Sequence, residues 1–303
     1  FEERFGSNIA RLECTVYADY DAALDAYGRD EVDAVSLLNA SPESILRAKA
    51  RYGEEVLAIP RLSMLYVNFR NDQPPFDDRR VRQAFAHCID KERLVAEVFQ
   101  GLRQPASGGF VPLGMSGHSP GIAVPYDPER ARELMAEAGF KNGRGFPPVS
   151  WVAAPGESVV NFLREAWERC LGVSLEAEAL DFGSFMKQLM EDPANLMLLG
   201  WGADFPDPAN ILRTTFHSSG GHNTPRWVNE QFDSLTDRAE SVIDNEERMA
   251  LYQRADAILV AEETSVVPLT YAEGSILIKP RVQTGEAPTI AMSLRSTRLA
   301  ETD

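Results

Sequence analysis

Between residues 149 and 201 the chain alternates strand and helix signals, and no other feature constrains its fold as strongly. VSWVAA (149–154) reads as a strand. ESVVNFLREAWERCLGV follows as a helix, with Val160, Leu163, Trp167 and Cys170 recurring on one face. SLEAEALD (174–181) alternates Leu175, Ala177 and Ala179, FGSFMKQLMED reads as a helix, and ANLMLLGW (194–201) as an apolar strand. Helical crossovers let successive strands run parallel, so this run predicts a parallel or mixed sheet with helices on its faces.

A second α/β block is expected over 10–60. ARLECTVYA (10–18) alternates Leu12, Cys14 and Val16 on one face and reads as a half-buried strand. DYDAALDAYGRDE follows as a short helix and VDAVSLLN (32–39) as a strand, together one βαβ unit with parallel strands. Between the blocks the helical period dominates. Asp77 or Asp78 can cap a helix carrying Val81, Ala84, Phe85, Cys88 and Ile89, and Leu94, Val95, Val98 and Phe99 continue a second, stopped near Gly101. Residues 101–126 are rich in Gly and Pro without a period: a long loop, of a kind often functional. In YDPERARELMAEAGF, Asp127 caps, Pro128 takes the first helical position and Gly139 stops the helix.

Two amphipathic helices follow, around 232–242 and 246–261, the second with Leu251, Tyr252, Ala255 and Leu259 inward and Asp244 or Asn245 as cap. SVVPLTYA and SILIKP close as extended segments. The economical architecture has two lobes, with the chain crossing near 65–72 and again near 268–273. Two crossings would make a hinge.

Composition narrows the function. The chain has 303 residues and a net charge of −16, from 30 Lys+Arg against 46 Asp+Glu. Such a surface repels phosphate backbones, which argues against nucleic acid and anionic membranes as partners. Apolar runs fall far short of a membrane span. The four histidines and three cysteines show no metal-ligand spacing, so no metal is expected. Cys88 and Cys170 lie on apolar helix faces, and all three cysteines, Cys14 included, are expected as free thiols distant from one another. GxSxG, HExxH, a P-loop and a strand-borne GxGxxG are all missing, and no catalytic residue is assigned.

One candidate site stands out. In LMLLGWGADFPDPAN the strand gives way to Gly200, Trp201, Gly202 and then Asp204. Ligands of open α/β sheets bind outside the carboxyl ends of strands. A carboxylate beside an aromatic wall suits a cationic group such as an amine. Asp207-Pro208 repeats the Asp127-Pro128 pattern, so Asp207 is expected as a helix cap and not as half of a hydrolytic pair with Asp204. Phe85, Phe99, Trp167 and Met249 sit at helical spacing and read as core.

Several stretches then resemble a known family. NFRNDQPPFDDRRVRQAFAHCIDKERLV (68–95), YDPERARELMAEAGF (126–140), GWGADFPDPANIL (200–212), VYADYDAALDAYGRDEVDAVSLLN, and the segment 222–274 with its N…F-D-x-L and P-L-T-Y patterns are similar, in order, to family 5 extracellular solute-binding proteins. These are the dipeptide-, oligopeptide- and nickel-binding components of ABC importers. The resemblance implies a periplasmic-binding-protein-like fold of type II with two hinged lobes. The second lobe, 71–271, would be whole, and 1–70 with 272–303 would supply a partial first lobe. It implies a monomer on the periplasmic or extracellular side of the membrane, often lipid-anchored, that delivers its ligand to permease subunits and needs no cofactor. In peptide-binding members the acid at the position of Asp204 pairs with the ligand's α-amino group. Trp201, Phe205 and Asn223 are weaker carry-overs as ligand contacts. Two alternatives stay open: a hydrolase using Asp204 and Asp207, and a solute-sensing regulatory domain.

Overall fold

The computed structural model describes residues 8–38, 40–153, 157–284 and 297–300. Helix α1 (Tyr20–Gly28) starts where Asp19 accepts the Ala22 N–H at 2.8 Å. Strand β1 (Ala34–Ser36), helix α2 (Pro42–Tyr52, capped by Ser41) and the long strand β2 (Val56–Phe69) follow. Asp78 caps α3 (Arg79–His87) and Asp90 caps α4 (Lys91–Val98). Strand β3 (Arg103–Pro105) interrupts the Gly/Pro-rich loop before α5 (Pro128–Glu137), which Asp127 caps as expected. Gly139 then ends that helix at φ +94°, a conformation costly for any residue with a Cβ.

The alternating run forms as read: β4 (Trp151–Ala153), α6 (Glu157–Leu171), β5 (Ala177–Ala179), α7 (Phe182–Glu191) and β6 (Leu196–Gly202). Helices α8 (Pro208–Phe216), α9 (Glu230–Ser241) and α10 (Asn245–Ala257, capped by Asp244) come next, and α10 runs into a π-helical turn at Ile258–Glu262. The two closing extended segments are one strand, β7 (Val266–Ile278), and β8 (Val282–Thr284) pairs antiparallel with β9 (Thr297–Leu299).

The chain divides into two compact units, 62–272 and the remainder, 1–61 with 273–303; β2 and β7 each run across the division. In the larger unit the strand order is β7-β2-β6-β4-β5, with β3 on β7. Strand β4 is parallel to both β5 and β6, whereas β2 is antiparallel to β6, so the sheet is mixed. One sheet face buries Leu196 and Leu198 against Phe85, Leu134 and Trp167. The other buries Met197 and Leu199 against Ile211, Phe232, Tyr252 and Leu259. Two covered faces are why LMLL is apolar at consecutive positions. In the smaller unit α1, β1 and α2 enclose Leu24, Tyr27, Leu37 and Ala48.

Three expectations need correction. Residues 10–18 form no strand, and Val16 is 96 % exposed. Alternation alone does not make a strand when no neighbouring edge accepts its hydrogen bonds. The expected βαβ unit therefore does not form; β1 instead pairs antiparallel with β7, Ala34 opposite Ile278. Finally, Cys88 and Cys170 are not free thiols but form a disulfide, with Cα atoms 5.9 Å apart and a sequence separation of 82. Their apolar faces pack the ends of α3 and α6 side by side, which spacing along the chain does not reveal. Cys14 is free and exposed.

Candidate functional site

Strand β6 is central: β4 pairs one edge from Leu196 to Leu198, and β2 pairs the other as far as Gly202, opposite Ser63. The Ala203 N–H still donates to the Leu62 carbonyl at 2.7 Å. Beyond that point the chain leaves the sheet at the carboxyl ends of the parallel strands, and residues 203–207 form the link to α8. That is where loops of an α/β sheet present side chains to a ligand.

Two side chains shape the link. Asp207 caps α8 by accepting the Ala209 N–H at 2.9 Å. Its carboxylate also receives both Arg248 Nη atoms of α10, at 2.7 and 2.8 Å. Burial works to raise the Asp207 pKa, but the Arg248 guanidinium and the Ala209 N–H outweigh it and hold the carboxyl below its ordinary value. Asn210, 4 % exposed in the first turn of α8, faces the other end of the link. Its Oδ1 accepts the Asp204 N–H at 3.0 Å and its Nδ2 donates to Asp204 Oδ2 at 3.3 Å.

Asp204 is therefore oriented by a neutral amide and remains exposed. Among the described residues it has no ion pair, and Oδ1 has no hydrogen-bond donor. Trp201 lies on the sheet face of Met197 and Leu199, half-buried against the second core. Its Nε1–H is buried and meets no acceptor among the described residues. The His222 ring stands edge-on to the indole with centroids 5.8 Å apart. Phe205 is 51 % exposed in the same link. A free carboxylate oxygen, an unused indole N–H and an exposed aromatic ring thus share one strand end and its exit. The exposed carboxylate and ring can bind a cation such as an amine, whereas the indole N–H stays buried behind them.

Asn223 belongs to this neighbourhood only through its chain neighbour His222. Its Nδ2 donates to the Trp227 carbonyl at 2.7 Å and its Oδ1 accepts the Trp227 N–H at 3.2 Å, so the amide shapes its own turn. Sequence reading missed Asn210 and His222. Asn210 carried a signal, a polar residue at the third helical position after the Asp207 cap. His222 carried none, because only tertiary packing brings it to Trp201. Asp207, kept ionised by Arg248, lacks the raised pKa that the acid of a hydrolytic carboxylate pair requires.

Residues 6–223 match the family model described as bacterial extracellular solute-binding proteins, family 5 Middle. The heme-binding protein A of Haemophilus influenzae is 30% identical over 229 residues, 73% of this chain and 42% of that protein. The di/tripeptide-binding protein 3 of Pseudomonas aeruginosa is 27% identical over 258 residues, 83% of this chain and 48% of that protein. The chain thus spans about half the length of these curated relatives. Among solved structures, the unliganded open form of the periplasmic murein tripeptide binding protein MppA superposes with a TM-score of 0.83 at 20% identity, covering 93% of this chain and 56% of that one. The mixed sheet with helices on both faces is therefore the fold of periplasmic binding proteins, as the sequence led one to expect. With the family model matching most of its length, the chain belongs to family 5 of the bacterial extracellular solute-binding proteins.

Proposed function

We infer that this chain is part of the substrate-binding component of an ABC importer, and that it captures peptides or related amine-bearing small solutes outside the cytoplasm. It acts by binding and release, without catalysis, as a monomer that hands its ligand to membrane permease subunits. Residues 71–271 serve as one lobe, and 1–70 with 272–303 belong to the other. The observation that carries the reading is Asp204, oriented by Asn210 at the carboxyl edge of the sheet with one carboxylate oxygen unpartnered among the described residues. Its partner in this reading is the ligand's ammonium group, with Trp201 and Phe205 as the apolar wall and Asn223 at the margin. The relatives' names support a small organic ligand and span two chemistries, heme and di- or tripeptides. The cationic partner that Asp204 lacks favours the second.

The test uses the full-length protein, a panel of di- and tripeptides, and the same peptides N-acetylated. Losing one partner of a desolvated ion pair costs roughly 2–5 kcal/mol, on the order of 30-fold to several thousand-fold in affinity. Asp204→Asn should weaken free-amine peptides by that factor and leave acetylated ones nearly unchanged. Asp207→Asn should bind as wild type does. Equal affinity of Asp204→Asn and wild type for the free amines would sink the assignment.

A further inference from the structure

A cavity of about 220 Å³ lies in the helical layer on the Trp167 face of the sheet, away from Asp204. The end of α3, the starts of α4 and α5, and the second half of α6 form its walls. Three arginines line it: Arg93, half-buried, and Arg132 and Arg169, both exposed to solvent. One acid, Asp90, lines it in return, and that carboxylate already accepts the Arg93 backbone N–H at 2.9 Å as the cap of α4.

Three arginines around one cavity are unexpected in a chain of net charge −16. Arg93 is satisfied in part: its Nε donates to Glu97 at 2.6 Å and its Cζ stands 5.4 Å from the Phe162 ring centroid. Arg132 and Arg169 take part in no ion pair or hydrogen bond among the described residues. Asp90 and Glu97 offset part of this positive charge but leave the three arginines in excess, and an anion among them reduces their mutual repulsion. Their planar forks match the oxygens of carboxylates and phosphates, often two at a time.

The walls are also fixed in advance. The Cys88–Cys170 disulfide lines the cavity and ties the end of α3 to that of α6. Cys170 Sγ further approaches the Pro128 carbonyl at the start of α5, at 4.0 Å. A site held open before binding loses less entropy on occupation. Its volume holds roughly seven waters at ~30 Å³ each and falls below the ~300–1,000 Å³ of drug-sized ligand sites. That excludes a peptide and suits a compact anion.

We propose that this cavity binds a small multivalent oxyanion, bearing carboxylate or phosphate groups, between Arg93, Arg132 and Arg169, and that the Cys88–Cys170 bond holds its walls in place. The site is independent of Asp204 and of the solute that Asp204 would capture.

The experiment is isothermal titration of the protein with inorganic phosphate, succinate and acetate, each against sodium chloride at matched ionic strength. At least one dianion is expected to bind with a dissociation constant of about 1 mM or tighter, acetate about 10-fold or more weakly. The double variant Arg132→Gln/Arg169→Gln should lose about 10-fold or more of that affinity. It should keep the wild-type melting temperature, because neither side chain holds the fold together. Asp204→Asn should bind the dianion as wild type does. Thiol reduction should weaken binding several-fold without abolishing the fold, which circular dichroism would follow. A preference for phosphate over succinate, or the reverse, would identify which oxyanion the site takes. If neither dianion binds beyond the chloride control, or if the double variant binds equally well, the anion site does not exist. If reduction leaves affinity untouched, the disulfide plays no part in it.

Discussion

Lys91 and Asp256 grip one short stretch of backbone from two different helices. Lys91 Nζ donates to the Ala106 carbonyl at 2.9 Å, and Asp256 Oδ1 accepts the Phe110 N–H at 2.7 Å. Both side chains are buried, and Asp256 is fully so. Between them the Tyr271 hydroxyl donates to the Gly109 carbonyl at 2.6 Å. The long Gly/Pro-rich loop is thus fixed to the core by buried polar groups. Burial pushes the Asp256 carboxyl up to about 7 and the Lys91 ammonium down to about 7.

These shifts set opposite slopes of stability against pH. For Asp256 the folded value exceeds the unfolded one, so stability is fully present below about pH 4 and is lost as pH rises toward 7. For Lys91 the folded value lies below the unfolded one, so stability is present above about pH 10.5 and is lost as pH falls toward 7. Each group contributes a slope on the order of 1.4 kcal/mol per pH unit within its window. The two together place a stability minimum near neutrality. Thermal melts from pH 4.5 to 9.5 should show it, and Asp256→Asn should flatten the acid limb alone. An unchanged acid limb in that variant would refute the assignment.

Gly109 is confined by the same carboxylate. A Cβ at this position would overlap the Asp256 oxygens. Gly109→Ala should cost about 2–4 kcal/mol, since neither the buried side chain nor the pinned backbone can move aside. Chemical denaturation of the double variant Gly109→Ala/Asp256→Ala should show strong coupling between the two sites. Simple additivity would show that the collision does not occur.

The Asp207–Arg248 pair joins the start of α8 to α10. Asp207→Asn keeps a competent cap but loses the ion pair, so a loss of about 1 kcal/mol is expected. Asp207→Ala removes both and should cost about 2 kcal/mol or more. Because Arg248 and the Ala209 N–H hold the folded pKa below the unfolded one, the wild-type pair contributes fully above about pH 4 and fades as pH falls below that value. Urea denaturation at pH 7 and pH 3 should show the gap between wild type and Asp207→Asn narrowing in acid.

Thiol titration under denaturing conditions should find one free thiol, Cys14, before reduction and three after it. Closing 82 residues of chain restricts the unfolded state, so reduction should lower stability by about 2–4 kcal/mol. Three thiols in the unreduced protein would rule out the bond.

What the sequence determined by itself is the local and periodic part of the molecule. The alternation over 149–201 was readable because each strand and helix carries its own period. The caps at Asp127, Asp207 and Asp244 were readable because a cap acts within three residues. Asp204 was legible as a carboxylate leaving a buried strand. What only the tertiary structure decided depends on partners distant in sequence. Residues 10–18 have the alternation of a strand but no edge to pair with. The antiparallel partner of β1 lies some 240 residues away in β7, beyond the reach of any local pattern. Cys88 looked like a core residue until the end of α3 met the end of α6, and Asn210 and His222 became part of the Asp204 neighbourhood only when α8 and the 222–223 turn folded back to the end of β6. Arg82, inside the legible helix pattern, proved to be a buried clasp donating to the carbonyls of Phe76 and Glu263, at 2.7 Å each. Periodicity reports which face of an element is apolar. It does not report which other element will cover that face, because that is decided by the packing of the whole core.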